Sequence, residues 1–397
     1  MLAIGLPALA HAQSLSLTES DALARVSGDS PRVRALRAGV DVVRAGVLAA
    51  GRRPNPRVTY SREAVADTTE HMLSVAQPLP FDGRRRLEVE AASALVDASM
   101  SRADEGVRRI RADVRLAFAR LVAAQDHQRA LDLARSRLRD VVQTLGRREA
   151  AGDAAGFDRL RAERELFDLE ADQSLAAVEH ARAQGALAAF FVGVDASALI
   201  ATGLVPSRSD LPPLPALVER AEANRGELAA LRHEGIAAGL SARAADRRRM
   251  PEPEVIAGTK SSTAGGGDLG GVLGVIATIP LFDRGRPERA IAEARQREAV
   301  AHAEAYRQVL RAEISSLREI VERRRLAATQ YRGTALRGVD EIERIARVSY
   351  EAGERGILEL LDAYRTGLAA SARQASLDLL VREAEIELEF VTGWEMP

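Results

Sequence analysis

The chain has 397 residues, of which 56 are Lys or Arg and 57 are Asp or Glu, and its formal net charge is -1. This balance excludes a bulk electrostatic attraction to nucleic acid, so no nucleic-acid partner is expected. Cysteine is absent, which excludes disulfide bonds, thiolate metal sites, cysteine nucleophiles and a cysteine-linked lipid anchor.

The N-terminal residues form an apolar run that ends in the small-residue pattern Ala10-His11-Ala12. This pattern is typical of the end of a secretory signal, with cleavage after Ala12, although a positively charged leading segment is missing. We therefore interpret residues 1–12 as the remnant of a signal peptide. The alternative is a disordered apolar N-terminus.

The two halves of the chain repeat each other at an offset of 201 positions, which relates Phe81 to Phe282, Gly152 to Gly353 and Leu160 to Leu361. Self-similarity at a fixed offset indicates duplication. We predict a first structural repeat over 13–200, a linker over 201–215 and a second repeat over 216–397.

Each repeat contains two long stretches that predict helices, over 84–148 and 157–192 in the first repeat and over 287–349 and 357–392 in the second, and no proline lies between Arg84 and Arg148. Apolar residues recur at heptad spacing in the first stretch, which favours a coiled-coil seam. This first seam consists of Val107, Ile110, Val114, Ala117, Leu121, Ala124, Leu131, Leu138, Val142 and Leu145. The seam predicted for the second repeat consists of Leu310, Ile314, Leu317, Val321, Ala328, Tyr331, Ala335, Ile342 and Ile345.

Four short alternating segments predict β-strands near 57–63, 70–78, 254–260 and 271–280. They can be transmembrane strands, or two soluble hairpins that cap a helical body. Four strands are too few to close a barrel, so the membrane interpretation requires several copies of the chain. The longest uncharged stretch, Leu269 to Phe282, is interrupted by glycines and does not predict a transmembrane helix.

Strand pairs inserted twice into a duplicated scaffold of long helices resemble the TolC family of outer-membrane efflux proteins. The most specific local match is the segment from Tyr350 to Ala363, which resembles the family motif at the turn between its last two long helices, and Gly152 to Ala162 is its counterpart. The resemblance implies a mainly α fold with a small β part, in which three chains form a twelve-stranded barrel and a periplasmic helical tunnel. It further implies a passive duct in the cell outer membrane, not an enzyme, as a homotrimer that contacts outer-membrane lipid, a periplasmic adaptor (membrane fusion protein) and an inner-membrane pump.

Three segments resemble the CzcC-type branch, whose members belong to cobalt, zinc and cadmium pumps: Ala50 to Pro56, Gln77 to Arg86, and Ile279 to Arg286. This branch implies heavy-metal cations as cargo and an RND-type pump as partner. Two alternatives remain open: a duct for drugs or other small molecules, and a periplasmic coiled-coil adaptor or scaffold. The aromatic content of 4% is low for the aromatic girdles of a transmembrane barrel.

The same resemblance assigns candidate site residues near the two helix-to-helix turns. Asp158, Tyr350 and Arg355 correspond to the family's gate latch, since an Arg fork suits a carboxylate and a Tyr hydroxyl is a directional donor. Glu359 and Asp362 correspond to the acidic ring of the aperture, where carboxylates favour cations. The adaptor-contact tips are the turn glycines Gly152, Gly156, Gly353 and Gly356. For each group, an ordinary solvated helix surface or a plain turn is the alternative.

The remaining chemistry gives no sign of catalysis. The six histidines are scattered without the close spacing of helical zinc ligands, and no nucleophile-base motif or phosphate-binding loop is present. We therefore expect no catalytic residue, no resident metal and no cofactor.

Overall fold

The structure is a computed structural model that describes residues 15–26, 28, 30–152, 156–203 and 210–394. The predicted signal remnant lies outside the described residues, as does the stretch 204–209 of the predicted linker. The helices and strands are β1 (Leu15–Leu17), α1 (Glu19–Ala24), α2 (Pro31–Ala50), β2 (Arg57–Val65), β3 (Thr68–Pro78), α3 (Arg84–Ala150), α4 (Gly156–Ala188), β4 (Leu199–Ala201), α5 (Leu214–Asn224), α6 (Gly226–Arg247), β5 (Glu252–Ser262), β6 (Asp268–Thr278), α7 (Arg286–Tyr331), α8 (Arg337–Glu351) and α9 (Ile357–Thr392).

The fold is mostly helical, as the sequence predicted, and it divides into two compact units. The sheet unit comprises 35–106 and 225–309, and the helical unit comprises 1–34, 107–224 and 310–397. Each unit therefore takes segments from both halves of the chain. In the part of the chain that the structure describes, no helix combines the length and the hydropathy needed to cross a membrane.

The sheet unit contains one antiparallel sheet with the strand order β2-β3-β5-β6. The hairpin β2–β3 turns at Ala66, whose φ of 50° is unusual for a residue with a side chain. Within this sheet the two halves of the chain meet in the β3–β5 ladder, which runs from the pair Glu70–Ser262 to the pair Pro78–Glu254. Within the described residues, β2 and β6 each pair on one side only, so the sheet of one chain is open.

The strand registers give this sheet two chemically different faces, because side chains alternate along a strand. The face that we call the apolar face carries large, exposed hydrophobic side chains on β2, β3 and β6. They are Val58, Tyr60, Leu73, Val75, Leu269, Leu273 and Val275. The opposite face, which we call the polar face, carries the ion pair Lys260–Glu70 between the neighbouring strands β5 and β3 at 2.6 Å, and a longer ion pair, Arg57–Glu254 at 3.8 Å, that reaches from β2 across β3 to β5. Its exposed large hydrophobic residues are Val65 and Ile276.

The helical unit has several buried cores. One surrounds the parallel strand pair β1–β4 and includes Phe118, Leu121 and Leu187. A second core, which we call the turn cluster, joins the ends of four helices: Leu145 of α3, Ala162 of α4, Ala346 of α8, and Leu360 with its neighbours on α9. The turn cluster therefore holds both helix-to-helix turns at the same end of the helical unit.

The helical unit also contains a buried charge cluster. Its members are Glu19, Arg115, Arg325, Arg382, Glu385 and Glu389, from helices α1, α3, α7 and α9. Glu385 is fully buried, accepts a hydrogen bond from Nε of Arg325 at 2.8 Å and forms an ion pair with Nη2 at 2.7 Å. Burial tends to raise the pKa of the Glu19 carboxyl, but the charge of Arg382 and the hydrogen bonds from Arg115 and Arg382 lower it below its ordinary value.

The predicted seam of the second repeat is interrupted by a π-helical turn at Arg332–Leu336, between α7 and α8. Up to this turn the heptad pattern is correct, since Leu310, Ile314, Val321 and Ala328 are buried. Beyond it, the expectation for Ala335, Ile342 and Ile345 is wrong because these side chains are exposed. A π turn inserts one residue into the helical ladder, so the seam continues one position later, with Val339 and Ala346 buried instead.

Candidate gate at the helix-to-helix turns

Two turns in the helical unit carry all the predicted site residues. Helix α3 ends at Ala150 and α4 begins at Gly156, while α8 ends at Glu351 and α9 begins at Ile357. The helix ends are closed by hydrogen bonds from the Gly152 amide to the Glu149 carbonyl at 3.0 Å, and from the Gly353 amide to the Tyr350 carbonyl at 3.1 Å.

Gly152 and Gly353 occupy equivalent positions in these turns, with φ values of 80° and 74°. This left-handed conformation favours glycine, and glycine is common directly after a helix end for that reason. Gly356 precedes α9 in an extended conformation, and Gly156 opens α4. The turn geometry therefore explains Gly152 and Gly353 without a partner, and the predicted adaptor contact of all four glycines stays a prediction.

The predicted acidic pair lies on the outer face of the first turns of α9. Glu359 and Asp362 are exposed, whereas Leu360 and Leu361 between them are buried in the turn cluster. Glu359 also lies in the first turn of its helix, where a carboxylate interacts favourably with the helix dipole. Packing of the turn cluster thus fixes both carboxylates on a surface that a single chain leaves open.

The three predicted latch residues do not bond to one another within the described residues of one chain. Asp158 lies in the first turn of α4, and Arg355 is exposed in the turn before α9. Tyr350 packs against the turn cluster, and the guanidinium carbon of Arg148 lies 5.5 Å from the centre of its ring. The latch therefore stays a prediction.

A model of the family described as outer membrane efflux protein matches residues 22–191 and 217–394. The chain belongs to this family. It is 26% identical to the cobalt-zinc-cadmium resistance protein CzcC of Cupriavidus metallidurans over 367 residues, which cover 90% of this chain and 85% of CzcC. These findings confirm the predicted family and the predicted location in the outer membrane, with a helical body in the periplasm.

The fold is similar to that of solved outer-membrane proteins. The crystal structure of CusC superposes with a TM-score of 0.77 at 17% identity, over 96% of this chain and 93% of CusC. The outer membrane protein VceC of Vibrio cholerae superposes with a TM-score of 0.74 at 18% identity, over 96% of this chain and 97% of VceC. The similarity extends over nearly the whole length of each chain.

Ion pairs that hold the helix ends of this efflux protein together were not anticipated from its sequence. Nε of Arg159 donates to Glu149 across the first turn at 2.5 Å, and Nη1 donates to Glu163 at 2.6 Å. A side chain at Gly156 would meet the Glu149 carboxylate at 2.5 Å, so the glycine makes room for this pair. Only the Arg159–Glu163 pair, with its i, i+4 spacing, could have been inferred from the sequence.

A second ion pair depends on a glycine within α9. Nη1 of Arg137 on α3 donates to Glu343 of α8 at 2.6 Å. A Cβ atom at Gly367 would lie only 2.0 Å from the Glu343 carboxylate. Glu343 points inward because the π turn has shifted the seam by one residue, so the heptad pattern of the sequence could not have placed it there.

Among the described residues, no group of three or more acidic or imidazole side chains could hold a metal ion.

Proposed function

We propose that this protein is the passive outer-membrane duct of a tripartite efflux system, and that it exports heavy-metal cations delivered by an RND-type pump. The duct is a homotrimer in which each chain contributes four strands to a twelve-stranded barrel. It performs no catalytic step. A periplasmic adaptor, the membrane fusion protein, links it to the inner-membrane pump.

The observation that supports the barrel most directly is the two-faced sheet. In a membrane barrel the outward side chains contact lipid while the inward side chains face water, so alternate positions are apolar and polar. Leu273 and Val275 are 83% and 70% exposed on the apolar face, which is costly in water. The open edges β2 and β6 lead to the same inference, because joining β6 of one chain to β2 of the next would pair both edges.

The proposed cargo rests on the relative and on charge. CzcC, which covers most of this chain, is described as a cobalt-zinc-cadmium resistance protein. In a threefold assembly, Glu359 and Asp362 of each copy would place six carboxylates around one opening. Such a ring favours cations over anions, and exposed carboxylates bind weakly enough to release their cargo.

The gate is proposed to close where Asp158 of one helix pair meets Tyr350 and Arg355 of the next. Neither charged side chain has a bonding partner among the described residues of its own chain, and exposed pairs are weak enough to open during transport. The four turn glycines lie at the same end of the helices, where we place the contact with the adaptor.

Two measurements on the detergent-purified protein test this proposal. Analytical ultracentrifugation should give the mass of a trimer, and planar bilayers should show a cation-selective conductance. The paired variant Tyr350→Phe with Arg355→Ser should raise the conductance without dissociating the trimer, and Asp158→Ala should act in the same direction. A monomer without conductance would refute the duct, while a trimer whose conductance is unaffected by these variants would refute the latch.

A further inference from the structure

The π turn leaves a row of apolar side chains without a partner on α8. Ile342, Ile345 and Val348 are 49%, 47% and 50% exposed, although the heptad pattern of the preceding helix would place the first two in the seam. The inserted residue rotates α8 by about one residue step, or about 100°. As a result Val339 and Ala346 face α9, and the three larger side chains face outward.

Helix α4 exposes a matching row in the same unit. Leu160 and Phe167 are 58% and 62% exposed, and they lie seven positions apart on one face of the helix. The opposite face of α4 is buried against the turn cluster through Ala162 and Leu169. Both α4 and α8 therefore have one face packed within the chain and a second apolar face open.

The two rows lie at corresponding distances from the turns. Measured from Gly156, where α4 begins, Leu160 and Phe167 lie about 6 and 16 Å along the helix axis. Measured back from Glu351, where α8 ends, Val348 and Ile342 lie about 4 and 14 Å along the axis. Since the turn cluster holds both turns at one end, an antiparallel contact would bring Leu160 to Val348 and Phe167 to Ile342.

The charges next to these rows are complementary. At the turn end of the α4 row lies Asp158, and beyond the end of the α8 row lies Arg355, neither with a bonding partner among the described residues. A contact between α4 of one copy and α8 of another would bring these opposite charges together at the end of an apolar strip. The occupant that fits the α8 row is therefore a second copy of this chain.

We propose that the π turn fixes the register of α8 so that Ile342, Ile345 and Val348 pack against Leu160 and Phe167 of α4 in a neighbouring copy. This inference rests on the proposed trimer and adds the surface on which two copies meet. The π turn then promotes assembly of the trimer, because a regular helix would direct Ile342 and Ile345 toward the core of their own chain.

Engineered cysteines test this contact in a chain that has no cysteine of its own. Under mild oxidation of the full-length protein in its membrane, Leu160→Cys with Val348→Cys should form disulfides between copies, as should Phe167→Cys with Ile342→Cys. Non-reducing gels should then show dimers and trimers. The exchanged pairs, Leu160→Cys with Ile342→Cys and Phe167→Cys with Val348→Cys, are the controls. In each exchanged pair the two positions are offset by about 8 to 12 Å along the helix axis, which is beyond the reach of a disulfide.

Deleting Thr334 tests the role of the π turn itself. The deletion should restore a regular helix, turn position 348 away from position 160 and abolish the cross-link of the first pair. A trimer by ultracentrifugation in which the matched pairs cross-link no better than the exchanged pairs would overturn the contact, while leaving the duct intact. Undiminished cross-linking after the deletion, in a trimeric protein, would overturn the role of the π turn. A monomeric particle would instead refute the duct itself.

Discussion

Replacing Arg325 by methionine should destabilise the helical unit strongly, because it removes the main partner of a buried charge. Glu385 is fully buried and accepts a hydrogen bond from Nε of Arg325 at 2.8 Å, and Nη2 of Arg325 lies 2.7 Å from the same carboxylate oxygen. Its only other partner in the buried charge cluster is Arg382, whose Nη1 lies 3.5 Å away. The variant would leave a carboxylate that is desolvated and poorly paired.

The expected magnitude follows from the environment of Glu385. Removing one member of a buried ion pair costs about 3 to 5 kcal/mol, and we expect the lower value because Arg382 remains. For a unit of this size, about 3 kcal/mol corresponds to a decrease in melting temperature on the order of 6 to 12 °C. Circular dichroism of the detergent-solubilised protein, scanned at one fixed rate, measures this decrease.

The control is the same substitution in an exposed ion pair. Arg344 donates to Glu341 on α8, and both side chains are more than half exposed. Arg344→Met should leave the melting temperature unchanged, because solvent screens an exposed pair. A second variant, Arg325→Met with Glu385→Leu, should recover most of the loss, since an apolar pair can replace a buried ion pair. Equal melting temperatures for Arg325→Met and Arg344→Met would refute this account of the buried charge cluster.

Three further outcomes follow from the structure. Glu359→Gln with Asp362→Asn should reduce cation selectivity, and an unchanged reversal potential in a salt gradient would show that these carboxylates do not face the pore. Leu273→Arg on the apolar face should destabilise the folded protein in the bilayer by about 2 to 4 kcal/mol and reduce the amount of trimer seen on gels of unheated samples. Val272→Arg on the polar face should leave the amount of trimer unchanged, and equal losses for the two variants would contradict the assigned faces. Because the pKa of Glu19 is lowered on folding, the stability that it contributes is present above pH 4.5 and is lost as the pH falls through its folded pKa. Glu19→Gln should therefore lower the melting temperature at neutral pH, and the melting temperature of the variant should fall less on acidification than that of the original protein. An equal fall in both proteins would count against the pairing of Glu19 with Arg115 and Arg382.

The regular part of the fold could be predicted because it is encoded locally. Proline and glycine separate the elements, and the heptad spacing identifies the buried face of α3, where Val114, Leu121 and Leu138 are buried. The helix predicted over 84–148 lies at Arg84–Ala150, and the strand predicted near 57–63 lies at Arg57–Val65. These signals depend on neighbours in the sequence and need no knowledge of tertiary contacts.

The errors arise where no local signal in the sequence marks the structure. Ile342 and Ile345 continue a heptad pattern, yet the π turn rotates them outward, and no proline marks that turn. Arg325 and Glu385 look like ordinary surface charges until α7 and α9 bury them together. The latch and the acidic ring remain predictions that rest on family resemblance, because the latch residues do not bond to one another within the described residues of one chain.

The order of the strands has a consequence for how this chain folds after synthesis. Leu15 pairs with Leu199, and His71 pairs with Ser261, so each sheet joins segments that are almost half the chain apart. The first half can form its helices, the pair β1–β4 and the hairpin β2–β3 early, but it cannot complete the four-stranded sheet. Until the second half is available, the free edge of β3 can pair with other chains. Unpaired strand edges in slow-folding sheets are generally prone to such pairing. The duplication that simplifies the architecture thus extends the period in which the newly exported chain is exposed to misassembly.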